Sequence, residues 1–341
     1  MGAVIATIPP RVLKEVFSAV VPALLDRRLI FVTGKGGVGK STVASSLGLL
    51  AAQHGLRTIV AELSSQDRVQ RAFDPLAADV GQVHHASEHF KEVELAPGLF
   101  TISIDAQHAM EEYLRIKTGP LGHALASSRL FGVFAMATPG MRELLSIGKV
   151  WELAQLERRT HGAAPYDLVI VDAPATGHGV AALRTPRTFA EIARVGPIAH
   201  QGATIAATIA DHDFTAVVAV TTPEEMPVNE TLALRDALAR DQLHLDAMVV
   251  NAVYPARFED GQVAALAAAA QRSRSPLTRV ALRAALSEHA RAAAQRDQQA
   301  RLADGLGMEL IELPYVFADS VGQAELELLA KALAAGLARR A

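Results

Sequence analysis

Short, continuous runs of apolar residues alternate along the chain with longer stretches of helical pattern. Most of these runs hold consecutive apolar positions rather than an apolar–polar alternation, which is typical of strands buried on both faces. Strands that are separated by helices in this way predict a doubly wound, mainly parallel sheet of the α/β class, with right-handed crossovers. The predicted strands are 29–33, 58–62, 99–105, 167–172, 216–221, 247–251 and 308–313.

Two long helical stretches interrupt the alternation of strands and helices. The first covers 105–159, where Asp105 is placed to cap the first helix and Gly119-Pro120 to end it. The second covers 186–211. We predict one domain over residues 1–341, with a helical subdomain from approximately 105–160 and 183–212 inserted on one side of the sheet.

Other helical segments are predicted near the two ends of the chain. Residues 10–28 have the pattern of an amphipathic helix that covers an edge of the sheet. Residues 272–276 are predicted to be a loop, and 277–305, which are rich in Ala, Arg and Gln, to form a solvated pair of helices. Residues 324–341 form a further amphipathic segment with acids near its start.

The strongest chemical signal is a glycine-rich segment between the first strand and a helix predicted over 40–54. Its glycines let backbone N–H groups converge on phosphate oxygens, and the helix start adds the positive end of its dipole. In such a phosphate loop Lys40 would neutralise the β- and γ-phosphates, and Ser41 would offer its hydroxyl to Mg²⁺. The predicted ATP-binding residues here are Gly34, Lys35, Gly36, Gly37, Val38, Gly39, Lys40, Ser41 and Thr42.

Two further charged residues are candidates for the same chemistry. Lys35 follows the first glycine of the loop; it either reaches across a dimer interface to the partner's nucleotide, as an arginine finger would, or is a solvated surface lysine. Asp172 ends a buried strand, so it would face the loop and hold Mg²⁺ together with Ser41. The Gly- and Pro-bearing segment 173–179 after it would sense the γ-phosphate and move on hydrolysis.

Composition narrows the classes of function. A net charge of −3 over 341 residues gives no overall basic footprint for nucleic acid. The absence of cysteine excludes disulfides and thiolate metal sites and fits a reducing cytoplasm. No run of about 18 apolar residues is present, so we expect a soluble protein rather than an integral membrane protein. The histidines at 84, 85 and 89 lie in a polar segment with no second ligand group, which favours a solvated surface over a metal site.

Two segments of the sequence resemble motifs of a known family. Residues 34–42 resemble the deviant Walker A motif of the SIMIBI ATPases, and 172–178 resemble the Asp-Thr-Ala-Pro-Thr-Gly-His signature of the ArsA-like, anion-transporting ATPases. The resemblance implies a dimer, formed with a second copy or with a related ATPase, that encloses two Mg-ATP molecules. It also implies that Lys35 contacts the partner's nucleotide, that Asn251 contacts adenine, and that a loop containing Pro314 walls the base.

The resemblance also bears on the helical subdomain. In the branch of the family that targets tail-anchored proteins, apolar helices in this region form a groove for the hydrophobic segment of a client. Residues 130–136 are dense in bulky apolar groups, and Met110, Met136 and Met141 lie in the same region. Flexible methionines would suit varied clients, but an apolar helical face also fits the buried core of the subdomain. An apolar client or a membrane-protein partner therefore remains open.

The sequence departs from the family in two respects. Without cysteine, activation by thiol-bound arsenite and a zinc clamp at the dimer interface are both excluded. Ser64 stands where the family has the aspartate that positions the attacking water, and serine is no strong base at neutral pH. Glu62 or Asp67 would substitute, or both are solvated polar residues. The leading hypothesis is an ATPase; the alternatives are a weakly or non-hydrolysing, ATP-gated assembly subunit and a partition- or positioning-type ATPase.

Overall fold

One sheet forms the centre of the protein. The computed structural model describes residues 23–63, 67–73, 90–118, 140–158, 162–193 and 197–339. The sheet has eight strands in the order β3-β4-β2-β5-β1-β6-β7-β8, and every neighbouring pair is parallel except β3 with β4. The strands are β1 (Leu29–Gly34), β2 (Thr58–Glu62), β3 (Val93–Ala96), β4 (Leu99–Ser103), β5 (Leu168–Asp172), β6 (Thr215–Thr221), β7 (Ala247–Val253) and β8 (Leu310–Pro314).

Helices cover both faces of this sheet. One face carries α1 and α10, and the other carries α4 to α7 and the end of α9. This arrangement confirms the predicted doubly wound α/β fold. The helices are α1 (Lys40–Gln53), α2 (Arg68–Phe73), α3 (Ala106–Thr118), α4 (Met141–Leu153), α5 (Thr176–Ala193), α6 (Pro197–Ala210), α7 (Glu225–Arg240), α8 (Asp260–Arg272), α9 (Pro276–Leu306) and α10 (Gln323–Arg339).

The continuous apolar runs are explained by burial on both sides of the sheet. Along β1, Leu29 and Phe31 belong to the core under α4 to α7, whereas Ile30 and Val32 belong to the core under α1 and α10. All four side chains are at most 1 % exposed. Because successive residues of a strand point to opposite faces, a strand covered twice needs apolar residues at every position.

All seven predicted strands are confirmed in approximate position, and the structure contains one further strand. β3 was not predicted, because it is short, half-exposed and antiparallel at the sheet edge, so it lacks a buried apolar run. The fourth strand ends at Ser103 rather than at 105, and the last runs over Leu310–Pro314 rather than 308–313.

Two helix predictions are wrong. Residues 277–305 do not form a pair of helices: they lie in the single helix α9, whose Ala, Arg, Leu and Gln residues favour an uninterrupted helix. The pair is instead formed by α8 and α9, joined at the predicted loop 272–276. The second helical stretch starts at Thr176 rather than at 186, and Pro186 lies inside α5.

The described helices within the predicted subdomain, α3 to α6, pack side by side, and α4 to α6 contribute to the core on one face of the sheet. Asp105 caps α3 as predicted, because its Oδ1 accepts the backbone N–H groups of Gln107 at 2.8 Å and His108 at 3.1 Å. The predicted helix 10–28 up to residue 22, the client segment 130–136 and the three histidines at 84–89 fall outside the described residues. Among the helices that are described, none is both long enough and apolar enough to cross a membrane.

Candidate functional site

The glycine-rich loop is fixed between two strands. It begins where β1 ends at Gly34, and α1 begins directly after Gly39. A side chain on Gly34 would collide with the carbonyl oxygen of Val220 in β6, and one on Gly39, which has φ 93°, would collide with the Asn251 amide from β7. The Asn251 amide donates to the Val38 carbonyl at 2.9 Å. Only glycine therefore allows the loop to lie this close to its neighbouring strands.

Lys40 curls back over the loop from the first position of α1. Its ammonium donates to the carbonyl oxygen of Lys35 at 2.9 Å. Burial lowers the pKa of Lys40, Asp172 opposes this shift, and the nearby positive charge of Arg68 adds to it. The cation is thus held above the backbone amides of the loop, where a phosphate could replace the carbonyl as its partner.

Asp172 lies beneath the loop and contacts it through Ser41. In the parallel pairing of β1 with β5, Asp172 is beside Val32, two residues before the loop. The Ser41 hydroxyl donates to Asp172 Oδ2 at 2.6 Å, whereas the buried Oδ1 has no hydrogen-bond partner among the described residues. Burial raises the pKa of Asp172, against the opposing effects of the Ser41 hydrogen bond, Lys40 and Arg68.

The hydroxyl of Ser41 and the carboxylate of Asp172 fit a magnesium ion. Mg²⁺ prefers oxygen ligands, and a carboxylate and a hydroxyl beside a phosphate loop are a common set. The unpartnered Oδ1 of Asp172 is costly in a buried place unless something binds it. The described residues contain no cluster of three or more His, Asp or Glu side chains that could hold a metal ion by themselves.

Glu62 and Asp67 are both occupied by contacts within the protein. Glu62 lies beside Asp172 in the pairing of β2 with β5, is 1 % exposed, and accepts the backbone N–H groups of Arg68 at 3.0 Å and Val69 at 2.9 Å. It therefore caps the start of α2. Asp67 accepts the hydroxyl of Ser103 at 2.5 Å. Ser64 lies outside the described residues.

Lys35 forms an ion pair within its own chain. Its ammonium is 2.7 Å from the Glu230 carboxylate on α7, and the two side chains are 32 % and 36 % exposed. Sequence reasoning missed Glu230, because the two residues are far apart in the chain and no motif joins them. The pair holds Lys35 at the surface beside the loop, from which it could still exchange partners.

A cavity of about 410 Å³ opens beside the loop. Its lining includes Gly37, Lys40 and Ser41 on one side and Arg68 and Arg71 of α2 on the other. The two arginines were not predicted, although two basic residues one helical turn apart after the second strand were a usable signal. They add positive charge to a space already bounded by phosphate-binding groups.

The residues predicted to surround the base lie near the same edge of the sheet. Pro314 ends β8 and pairs with Val253 of β7, two residues after Asn251. Next to it, Tyr315 stacks on Tyr254 with ring centroids 4.6 Å apart. The Asn251 amide donates to the carbonyl of Val38, so it connects the glycine-rich loop to this edge of the sheet.

The segment after β5 lies against the glycine-rich loop. The backbone N–H of Ala173 donates to the carbonyl oxygen of Val32 at 3.1 Å. The Ala175 side chain lies next to Gly36, where an added Cβ would be 3.7 Å from it. A side chain on Gly179 would press on the Thr33 hydroxyl and on the Pro174 carbonyl. Close packing therefore joins this segment to the loop, and its role as a sensor of the γ-phosphate stays a prediction.

A strand, a glycine-rich loop and a helix, with an acid at the end of the neighbouring strand, define a P-loop NTPase fold. The profile described as Anion-transporting ATPase matches residues 27–198 and 192–280. The chain therefore belongs to the anion-transporting ATPase family.

Individual relatives agree with this assignment. The chain is 31 % identical over 241 residues to ATPase BagA of Mycobacterium tuberculosis, covering 70 % of this chain and 68 % of that protein. It is 25 % identical over 266 residues to the ATPase ASNA1 homolog of Entamoeba dispar, with coverages of 66 % and 76 %. It is also 25 % identical over 247 residues to the arsenical pump-driving ATPase of Acidiphilium multivorum, covering 66 % of this chain and 39 % of that protein.

Burial of Glu62 predicts a dependence of stability on pH. The pKa of Glu62 is raised to about 7 from an ordinary value of 4.5, chiefly by burial and also by Asp172 and Asp67, against two backbone hydrogen bonds. A raised pKa means that the folded state favours the protonated form. The resulting stabilisation, on the order of 3 kcal/mol, is full below the ordinary pKa and is lost as the pH rises through about 7.

Glu62→Gln should remove this dependence. Between about pH 5 and about pH 8, the thermal unfolding midpoint of the wild type should fall relative to that of the variant. Glu312→Gln, which changes an exposed acid of β8, is the control and should follow the wild type. Parallel pH profiles for the wild type and Glu62→Gln would contradict the raised pKa assigned to Glu62.

Proposed function

We propose that this protein binds Mg-ATP at the glycine-rich loop and hydrolyses it, and that a dimer closing around the nucleotide drives the work of a partner or client. The observation that carries the proposal is the hydrogen bond from Ser41 to the buried carboxylate of Asp172 directly under the loop. Membership of an ATPase family supports the same activity. A buried carboxylate with one unpartnered oxygen is unfavourable unless a cation binds it.

Each part of the loop has a role in this proposal. The backbone N–H groups from Gly36 to Thr42 would bind the phosphate oxygens, and Lys40 would exchange the Lys35 carbonyl for the β- and γ-phosphates. Ser41 and Asp172 would hold Mg²⁺, which would neutralise phosphate charge when bound. The arginines of the cavity, Arg68 and Arg71, would add positive charge facing the same phosphates.

The base would bind at the edge formed by β7 and β8. Asn251 is already within hydrogen-bond distance of the loop at Val38, and Pro314 lies in the neighbouring strand. We place the adenine between these two residues. An amide that can both donate and accept suits the edge of adenine, and proline offers a flat apolar surface.

In the proposed dimer, Lys35 would contact the nucleotide of the facing subunit. Lys35 is one-third exposed and bound to one carboxylate, so it can leave Glu230 for a phosphate of a facing subunit at small cost, because exposed ion pairs are weak. The facing subunit is a second copy or a related ATPase. Its closure would couple ATP to a partner, as the name of the arsenical pump-driving ATPase states for that relative.

Removal of the loop lysine tests nucleotide binding. Lys40→Ala should raise the Kd for Mg-ATP by about 10- to 100-fold, because a charge-assisted hydrogen bond to phosphate is lost. Lys331→Ala, which removes an exposed lysine on α10, should leave the Kd unchanged. Calorimetry on both variants, with thermal unfolding to verify the fold, measures the difference. Wild-type affinity in Lys40→Ala would refute the assignment of the phosphate loop.

A second candidate is an ATP-gated assembly subunit that binds ATP but turns it over slowly or not at all. The favouring observation is that the two candidate substitutes for the missing aspartate are engaged, Glu62 by the start of α2 and Asp67 by Ser103. Together with Ser64, this leaves the attacking water without an evident base. Such a subunit would pair with a related, active ATPase.

Steady-state phosphate release separates the two candidates. The leading proposal predicts turnover by the wild-type chain alone that Lys40→Ala abolishes and Lys331→Ala preserves. ATP binding without turnover above the buffer rate would contradict hydrolysis by this chain. Turnover that starts only when a related ATPase is added would support the assembly subunit and a heterodimer.

A further inference from the structure

The two helices between β7 and β8 pack against each other as a hairpin, and its far part contains no buried residue. We call residues 261–287, which comprise most of α8, the connecting loop and the first part of α9, the hairpin tip. No residue of 261–291 is buried, whereas α9 buries Ala292, Gln295, Gln299 and Leu302 further along. The first sixteen residues of α9 therefore extend about 24 Å beyond its buried part.

The hairpin tip carries charge of one sign. It contains four arginines and no aspartate or glutamate, in a chain with a net charge of −3. Within the described part of the chain, none of the four arginines forms an ion pair; the nearest acid in α9, Glu288, is paired with Arg257 at 2.7 Å. The four are Arg272, Arg274, Arg279 and Arg283.

Apolar side chains are exposed between these arginines. Leu277 is 80 % exposed and Val280 is 65 % exposed, and their spacing of three residues places them on one face of α9. Leu282 and Leu286 are only partly exposed, and their positions place them on a different face of α9. The exposed apolar face is thus separate from the partly buried one.

We propose that the hairpin tip docks on the surface of an anionic lipid membrane. Guanidinium groups complement phosphate headgroups, and exposed apolar residues on the same helix enter the boundary with the acyl chains. A second copy of the tip would bring like charges together. Nucleic acid would bind the arginines but would leave Leu277 and Val280 unused, and the tip has no aromatic residue for stacking on bases.

The base of the hairpin connects this surface to the nucleotide site. Gln295 of α9 accepts the backbone N–H of Tyr254 at 2.8 Å and donates to the carbonyl of Ala252 at 3.2 Å. Ala252 follows Asn251, whose amide holds the glycine-rich loop. The hairpin tip therefore belongs to an element whose base is hydrogen-bonded next to the residue that holds the loop.

Vesicle flotation with the full chain tests the proposal. The wild type should bind vesicles of phosphatidylglycerol and phosphatidylcholine in equal parts, and should not bind vesicles of phosphatidylcholine alone. Replacing all four tip arginines by glutamine should weaken binding by more than roughly a hundredfold, since each arginine near an anionic surface contributes about fivefold. The pair Leu277→Ser and Val280→Ser should weaken the binding that persists in high salt.

The matched control removes the same number of positive charges outside the hairpin tip. It replaces the exposed Arg142, Arg240, Arg296 and Arg339 by glutamine and should keep wild-type binding to anionic vesicles. All tip positions are solvent-accessible, so every variant should keep the thermal midpoint of the wild type, and Mg-ATP affinity should not change. ATP binding and vesicle binding can therefore fail independently.

Three results would overturn the proposal. The first is equal binding of the wild type to anionic and neutral vesicles, or none to either. The second is equal loss of binding in the tip variant and in the matched control, which would indicate non-specific attraction. The third is tip-dependent binding to polyglutamate or duplex DNA without vesicle binding, which would assign the surface to an acidic protein or to nucleic acid.

Discussion

The hydrogen bond between the Ser41 hydroxyl and the Asp172 carboxylate joins the two halves of the candidate site. It connects the start of α1 to the end of β5, and it exists because β5 lies parallel to β1 with Asp172 beside Val32. Asp172 is 4 % exposed, and burial of a carboxylate is unfavourable unless nearby groups compensate. Ser41 and Lys40 compensate only in part, because one oxygen has no partner in the described structure.

This arrangement explains why the surrounding sequence is so restricted. The loop must approach β6 and β7 closely, so Gly34 and Gly39 have no room for a side chain. The strands must bring Glu62 and Asp172 to one edge, so β2, β5 and β1 must be neighbours in parallel register. Both requirements are met by a sheet whose central strands are covered on both faces.

Much of the fold and of the candidate site was predictable from sequence, because the sequence patterns that indicate them are local. An apolar run followed by glycines, lysine and serine specifies strand, loop and helix without knowledge of distant residues. What could not be predicted depends on contacts across the fold: the ion pair of Lys35 with Glu230, and the use of Glu62 to cap α2. β3 lacks a strong pattern because it is short and half-exposed, and α9 was divided because its exposed half resembles a separate solvated helix.

β7 relates the two proposed activities to each other. Its residue Asn251 holds the glycine-rich loop, and the backbone just after it is held by Gln295 of the hairpin. These hydrogen bonds connect the glycine-rich loop to the base of the hairpin. Any coupling between the two binding sites would be reciprocal.

The most direct test of the central claim is the effect of Mg²⁺ on ATP affinity, measured by calorimetry in the wild type and in Asp172→Asn. The substitution keeps the shape of the side chain and an acceptor for Ser41 but removes the charge. We predict that Mg²⁺ tightens ATP binding to the wild type and has little effect on the variant. An equal Mg²⁺ effect in both proteins would contradict the role assigned to the buried carboxylate.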